Sequence, residues 1–257
     1  MSDFQGKFVW YELMTTDVAA AEGFYGQVLG WSAEKFDGAE IDYTRFSAGE
    51  ALVAGLMTIP EDACKAGAKP GWMGYVAVDD VDARAAQVVR EGGAIHRPAA
   101  DIPTVGRFAI AADPQGAMFA LFKPQGHEEM QPPAPGTAGH GGWHELYAAD
   151  WQSAFAFYEK LFGWSKADAV DMGPMGTYQL FAAGGQPIGG MMNKPEGFPR
   201  PAWLYYFNVD DIDTAAGRVT EEGGQIVHGP MEVPGGSWIV QCLDPQGAMF
   251  ALVEPAA

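Results

Sequence analysis

"DPQGAMFAL" occupies Asp113–Leu121, and the same nine residues return at Asp244–Leu252. The first four are turn chemistry: Asp opens the turn, Pro fixes φ, and Gly supplies a left-handed residue. "AMFAL" then reads as the closing strand of a sheet, its alternate side chains sharing a face. The two copies stand 131 positions apart, about half of this 257-residue chain. That distance indicates duplication of a whole domain, since a solenoid would repeat every ~20–50 residues.

The duplication extends well beyond the phrase. "WYELMTTDVAAAEGFYGQVLGW" (Trp10–Trp31) aligns with "WHELYAADWQSAFAFYEKLFGW" (Trp143–Trp164) at an offset of 133. "YVAVDDVDARAAQVVREGGAI" (Tyr75–Ile95) aligns with "YFNVDDIDTAAGRVTEEGGQI" (Tyr206–Ile226) at an offset of 131. Between the copies, "KPQGHEEMQPPAPGTAGHGG" (Lys123–Gly142) is rich in Pro and Gly and lacks apolar periodicity, so it reads as a linker. The expected organisation is a first domain over 1–124, a linker over 125–141 and a second domain over 142–257.

Each half carries its own internal repeat. Phe8–Thr15 reads as a strand and Asp17 as an N-cap. Val18, Ala21, Phe24, Tyr25, Val28 and Leu29 then fall at helical spacing, with Gly30 closing the helix as Gly163 does in the second half. Strand-like runs follow at Trp31–Phe36, Asp42–Ala48 and Ala51–Thr58. The pattern restarts with a strand over Trp72–Val78, a capped helix in "DDVDARAAQVVREGG", and strands at Ala94–His96, Arg107–Ala112 and Met118–Lys123. Strand–helix–three strands, written four times, predicts an α+β fold of tandem βαβββ modules. Each domain is expected to be a curved mixed sheet forming a cup, with flanking helices.

Composition narrows the partners. The chain is 48% hydrophobic and 19% charged, a foldable globular balance, and its formal net charge is −18. Such a surface repels phosphate backbones and anionic lipid, so neither nucleic acid nor membrane is an expected partner. No apolar run approaches the ~18 residues of a membrane helix, and MSDFQGKFVW lacks the basic start and apolar core of a signal peptide. Two cysteines in non-equivalent places, Cys64 and Cys242, fit a reducing cytoplasm better than a disulfide framework. A monomer or homodimer is expected.

The combination of "D…A…FY…LGW" (Asp17, Ala20, Phe24–Tyr25, Leu29–Trp31), the restart Val78–Asp82 and the closing "DPQG" strand resembles the vicinal oxygen chelate superfamily. That group holds glyoxalase I, extradiol dioxygenases, and bleomycin and fosfomycin resistance proteins. The start "W-x-E/D-L-x-T-x-D", here Trp10–Asp17, is similar to tandem glyoxalase-like proteins of bacteria. The resemblance implies a divalent metal in each cup, with N or O ligands at about 2.0–2.3 Å and open positions for vicinal substrate oxygens. It places first-strand ligands seven residues before each helix-capping Asp, at Trp10, Met73, Trp143 and Leu204. It places a closing-strand Glu seven residues after the turn Asp, at Ala120 and Ala251. None of these side chains grips a hard or borderline ion. The strands "ALVAGLM" (Ala51–Met57) and "QPIGGMM" (Gln186–Met192) also lack carboxylate and imidazole. No cofactor is therefore predicted, although a metal is the family expectation.

Two residues beyond the tryptophans, on the same strand face, stand Glu12 and Glu145. Each is a candidate general base, or a counter-charge for a cationic ligand; each is equally readable as a buried acid held by Arg or by backbone amides. Tyr43, Phe46, Tyr178 and Phe181 are candidate lining aromatics or plain core. Arg107 is a candidate partner of Glu12 or of a substrate carboxylate, and its counterpart is Trp238, so the halves differ chemically. "HGGWHE" (His140–Glu145) offers possible ligands, but on a strand His144 and Glu145 point to opposite faces. His127 with Glu128 and Glu129 reads as solvated linker.

Three functional readings stand open. One is a metal-free binder of a small cationic or oxygenated molecule in apolar cups, their ligand-binding positions Trp10, Trp143, Tyr43, Tyr178, Arg107, Met73, Leu204, Ala120 and Ala251. A second is a glyoxalase-like lyase or dioxygenase with Glu12 or Glu145 as base. A third is a regulatory or interaction protein on a degenerate enzyme scaffold.

Overall fold

A computed structural model describes residues 4–38, 41–125 and 133–256. The first half contains β1 (Phe8–Thr15), α1 (Val18–Leu29), β2 (Ser32–Lys35), β3 (Tyr43–Ala48), β4 (Ala51–Thr58), α2 (Glu61–Lys65), β5 (Gly71–Ala77), α3 (Val81–Arg90), β6 (Ala94–Ile102), β7 (Gly106–Ala112) and β8 (Met118–Pro124). The second contains β9 (Gly141–Ala148), α4 (Trp151–Phe162), β10 (Ser165–Asp171), β11 (Thr177–Ala183), β12 (Gln186–Asn193), β13 (Ala202–Asn208), α5 (Ile212–Glu221), β14 (Gln225–Glu232), β15 (Trp238–Leu243) and β16 (Met249–Glu254). The chain is thus α+β, with the strand–helix–three strands order in all four modules. No helix among the described residues is long and apolar enough to cross a membrane.

The same local chemistry starts every major helix. Asp17, Asp80 and Asp211 each accept the amide of the residue three positions on, at 3.0, 2.9 and 2.7 Å, and Asp150 accepts that of Ser153 at 3.3 Å. Each side chain thereby satisfies a helix amide that has no intrahelical acceptor. Gly30 (φ 69°) and Gly163 (φ 73°) end α1 and α4 in the left-handed conformation that side-chain-bearing residues avoid.

The strands form two open mixed sheets of eight, ordered β2-β3-β4-β1-β5-β8-β7-β6 and β10-β11-β12-β9-β13-β16-β15-β14. Within a module the first strand runs parallel to the last, as β1 does to β4 and β9 to β12, and the remaining neighbours are antiparallel. β6 extends to Ile102, well past the expected His96. It lies at a sheet edge, where Pro98 needs no amide partner, and register shifts at Ile95/Arg97 and Arg97/Ala100 absorb the irregularity. The short α2 has no apolar stripe, and sequence periodicity does not reveal it.

By compactness the chain divides into two units, and each draws one module from each half. One unit comprises the described residues of Met1–Trp10, Met73–Met130 and His144–Leu204, and the other those of Tyr11–Trp72, Gln131–Trp143 and Tyr205–Ala257. The second unit is centred on Phe24, Tyr25, Trp31, Phe46, Phe207 and Phe250, all at most 5% exposed. The first is centred on Phe119, Phe157, Tyr158, Phe162, Trp164 and Phe181, at most 6% exposed.

Each core contains the same hydrogen-bonded relay. In one unit, Trp72 Nε1–H donates to the Tyr25 hydroxyl (2.9 Å), which donates to Asp244 Oδ2 (3.1 Å). In the other, Trp203 Nε1–H donates to Tyr158 (3.1 Å), which donates to Asp113 Oδ2 (3.1 Å). Asp113 and Asp244 are the first residues of the repeated "DPQG". Their Oδ1 atoms accept the amides of the turn itself, Gln115 and Ala117 in one copy and Gln246 and Ala248 in the other, at 2.8–2.9 Å. One carboxylate therefore both shapes its turn and anchors a tyrosine from the other half of the chain. Burial raises the pKa of both acids, while the hydrogen bonds pull it back down.

Candidate functional site

Glu12 sits in the middle of β1, opposite Gly55 of β4, and is 8% exposed. Tyr43 opens β3, and its hydroxyl donates to Glu12 Oε2 at 3.1 Å. The second half repeats the pair: Glu145 on β9 lies opposite Gly190 of β12, is 7% exposed, and accepts the Tyr178 hydroxyl at 3.0 Å. The glycine is part of the arrangement. A Cβ on Gly190 would overlap the Tyr178 ring, so the bare backbone makes the seat on which the phenol lies. A phenolic donor offsets much of the cost of removing a carboxylate from water, and together the two groups can meet a polar ligand with an acceptor and an O–H.

The other nominated positions spread over the same strands. Trp10 and Trp143 are half-buried on β1 and β9. Met73 and Leu204 are buried on β5 and β13, at 5% and 2% exposure. Ala120 and Ala251 are fully buried, paired with Tyr75 and Tyr206. Phe46 and Phe181 are core, packed on Trp31 and Trp164 at ring-centre distances of 5.1 and 4.4 Å, whereas Tyr43 and Tyr178 are half-buried and polar in role.

Indole, thioether, isobutyl and methyl groups occupy the six positions that the resemblance assigns to ligands. Among the described residues, no group of three or more His, Cys, Asp or Glu side chains is gathered for an ion.

Sequence reasoning missed one feature beside Ala251. Tyr206, Ala251 and Gln241 form a row across β13, β16 and β15, and Gln241 Nε2 donates to the Tyr206 hydroxyl at 2.8 Å. The methyl group of Ala251 leaves room for that reach, where a glutamate would fill it. The equivalent of Gln241 is Ile110, so the polar row belongs to the second half alone. The Gln-for-Ile difference between the aligned copies is the signal that could have found it.

Arg107 is committed elsewhere than at Glu12. Its Nε and Nη2 donate to Asp82 at 2.7 and 2.9 Å, and its Nη1 donates to Asp101 at 2.9 Å. It enters β7 beside the start of α3, and so within reach of the second residue of that helix. His144 stacks on Phe8 (centroids 4.0 Å, planes 11° apart), and its Nδ1 lies 2.6 Å from the Ile188 carbonyl. Burial lowers its pKa to about 4, which makes it a neutral ring donating from Nδ1. His140 Nδ1 lies 3.1 Å from the Ala138 carbonyl. His127, Glu128 and Glu129 lie outside the described residues.

With this geometry in view, the sequence matches the profile of the Glyoxalase/Bleomycin resistance protein/Dioxygenase superfamily over residues 7–121 and again over 139–252. The chain belongs to that superfamily, as a tandem two-domain member. Among curated relatives, CFP32 of Mycobacterium tuberculosis (strain CDC 1551 / Oshkosh), which carries the provisional name of a glyoxylase, is 34% identical over 98% of this chain and 96% of its own length. The anthracycline biosynthesis protein DnrV of Streptomyces peucetius is 32% identical over 97% of this chain and 93% of its own. Among solved structures, the Mn(II)-bound glyoxalase from Novosphingobium aromaticivorans superposes with a TM-score of 0.65 at 18% identity, covering 99% of this chain and 83% of that one. The 2,3-dioxygenase LapB from Pseudomonas sp. KL28 gives 0.68 at 13%, covering 99% and 94%. At these identities the structural likeness shows the fold.

Proposed function

We propose that this chain is a metal-independent binder of a small oxygenated or amine-bearing molecule, with Glu12–Tyr43 and Glu145–Tyr178 as its recognition pairs. One observation carries the reading: in both halves a buried carboxylate opposite a glycine accepts a half-buried phenol, while the positions that the resemblance assigns to metal ligands carry Trp, Met, Leu and Ala. A carboxylate held by a phenol on a mostly apolar strand suits a ligand that brings N–H or O–H donors. Tyr75, Tyr206 and Gln241 add polar atoms beside Ala120 and Ala251. Elemental analysis of purified protein should find less than stoichiometric metal. A thermal-shift screen of amines and hydroxylated aromatics should give the same stabilisation with and without chelator, lost in the E12Q/E145Q double variant. Stoichiometric bound metal, or stabilisation abolished by chelator, overturns the reading.

The names carried by CFP32 and DnrV favour a second reading, in which one of these glutamates moves a proton on the bound molecule. The adjacent phenol would hold the carboxylate in place and stabilise its charge. Turnover of methylglyoxal–thiol adducts by metal-free protein, lost in E12Q or E145Q while binding persists, would establish it.

A further inference from the structure

The duplication supplies an internal comparison at one surface position. In the first half, Arg107 is clamped by Asp82 from α3 and by Asp101, its direct partner on β6, and Lys123 pairs with it from β8. Two acids there face two bases. In the second half the acids remain in place: Asp213 is the second residue of α5, and Glu232 pairs with position 238. Both bases are gone. Trp238 replaces the arginine and Glu254 replaces the lysine, so the indole stands between two acidic strand partners, Glu232 and Glu254.

The indole is 40% exposed, unusually open for tryptophan. It borders a concavity of about 190 Å³ lined by Asp211, Ile212, Asp213, Trp238 and Glu254. Glu254 is fixed there by the Ile212 amide, which donates to its Oε2 at 2.8 Å. Among the described residues, none of the ion pairs within 4.0 Å involves Asp213, Glu232 or Glu254.

We propose that this concavity binds a small organic cation, a guanidinium or alkylammonium group, between the Trp238 ring and the carboxylates of Asp213 and Glu254, with Glu232, the strand partner of Trp238, at its edge. The first half shows equivalent carboxylates holding a guanidinium of the chain itself. The second half keeps the clamp, withdraws the internal cation and supplies an aromatic face in its place. An indole attracts weakly hydrated organic cations, whereas calcium asks for six to eight converging oxygens. The volume admits a head group with a short stem, below the ~300–1,000 Å³ of pockets for drug-sized ligands. This site is distinct from the Glu–Tyr pairs and stands or falls independently of them.

The test uses the full chain with ¹⁵N-labelled tryptophan, the Trp238 indole resonance being assigned by its loss in W238F. Ethylguanidinium and tetramethylammonium chlorides should shift that resonance saturably, and sodium chloride at matched ionic strength should not. By calorimetry, D213N/E232Q should weaken ethylguanidinium binding at least about tenfold, or ~1.4 kcal/mol. W238R should abolish binding while keeping thermal stability, because it returns to the acids a guanidinium of the chain itself, as Arg107 is in the first half. Shifts that track ionic strength alone, a stronger response to calcium chloride, or unchanged binding in D213N/E232Q would overturn the proposal. An arginine-bearing tripeptide binding at least tenfold tighter than ethylguanidinium would reassign the site to a partner protein's side chain, which also overturns it.

Discussion

Tyr25 and Asp244 are separated by 219 residues, and their side chains meet at 3.1 Å inside one unit. The pairing explains why "DPQG" is written twice. In each copy the aspartate closes a turn with one oxygen and with the other holds a tyrosine from the opposite half, itself contacted by a tryptophan indole. If the relays secure the units, Y25F and Y158F should each lower the unfolding free energy by about 1–3 kcal/mol, because each leaves a buried acceptor and an indole N–H unmatched. Urea denaturation followed by tryptophan fluorescence measures this, and unchanged midpoints in both variants would show the relays to be idle.

The same acids set a pH dependence. Their folded pKa values lie above the ordinary ~3.9, so the fold binds protons more tightly than the unfolded chain. The stability they contribute is fully present below that ordinary value and is lost as pH rises through the raised one. The D113N/D244N variant removes this titration. The melting temperature of the native chain relative to the variant should therefore fall as pH climbs out of the carboxylate range, and a constant difference would contradict the assignment.

His144 contributes the opposite slope. With a folded pKa of about 4 against an unfolded ~6.5, its stabilisation is present above 6.5 and disappears as pH falls toward 4, by at most about 3 kcal/mol. H144F forfeits the bond to Ile188 but should flatten the stability profile across that window. Equal acid sensitivity of variant and native chain would place the titration elsewhere.

Gly190 tests the second Glu–Tyr pair without touching either member. G190A drives a methyl group into the Tyr178 ring, so the phenol must leave Glu145. The expected loss is about 1–3 kcal/mol of stability, as for other overpacked sites. Any ligand bound through Glu145 should weaken while binding through Glu12 is kept, and two-site calorimetry separates them.

The element pattern was largely legible in the sequence, because caps, closing glycines and alternation are local signals. Asp17, Asp80, Asp150 and Asp211 mark the helices they begin, and β1 and β4 fall on their expected bounds. Glu12 and Tyr43, nominated separately, turn out to be bonded, as do Glu145 and Tyr178. Which module packs with which was not legible, since duplicated modules present nearly the same apolar faces to either partner. Strand spacing could not show the second task of Asp113 and Asp244 either, because their tyrosines come from distant sequence. Arg107 found Asp82 and Asp101 because its strand begins beside α3, a proximity invisible along the chain.

Each unit is assembled from modules of different halves, and this changes what a fragment of the chain could do. A polypeptide of one half alone would carry two modules, neither of them with its mate. Two such molecules would have to exchange surfaces to complete a single core, so its folding should be second order and its melting point should rise with concentration. The covalent tandem removes that dilution penalty by fixing the stoichiometry at one copy of each half.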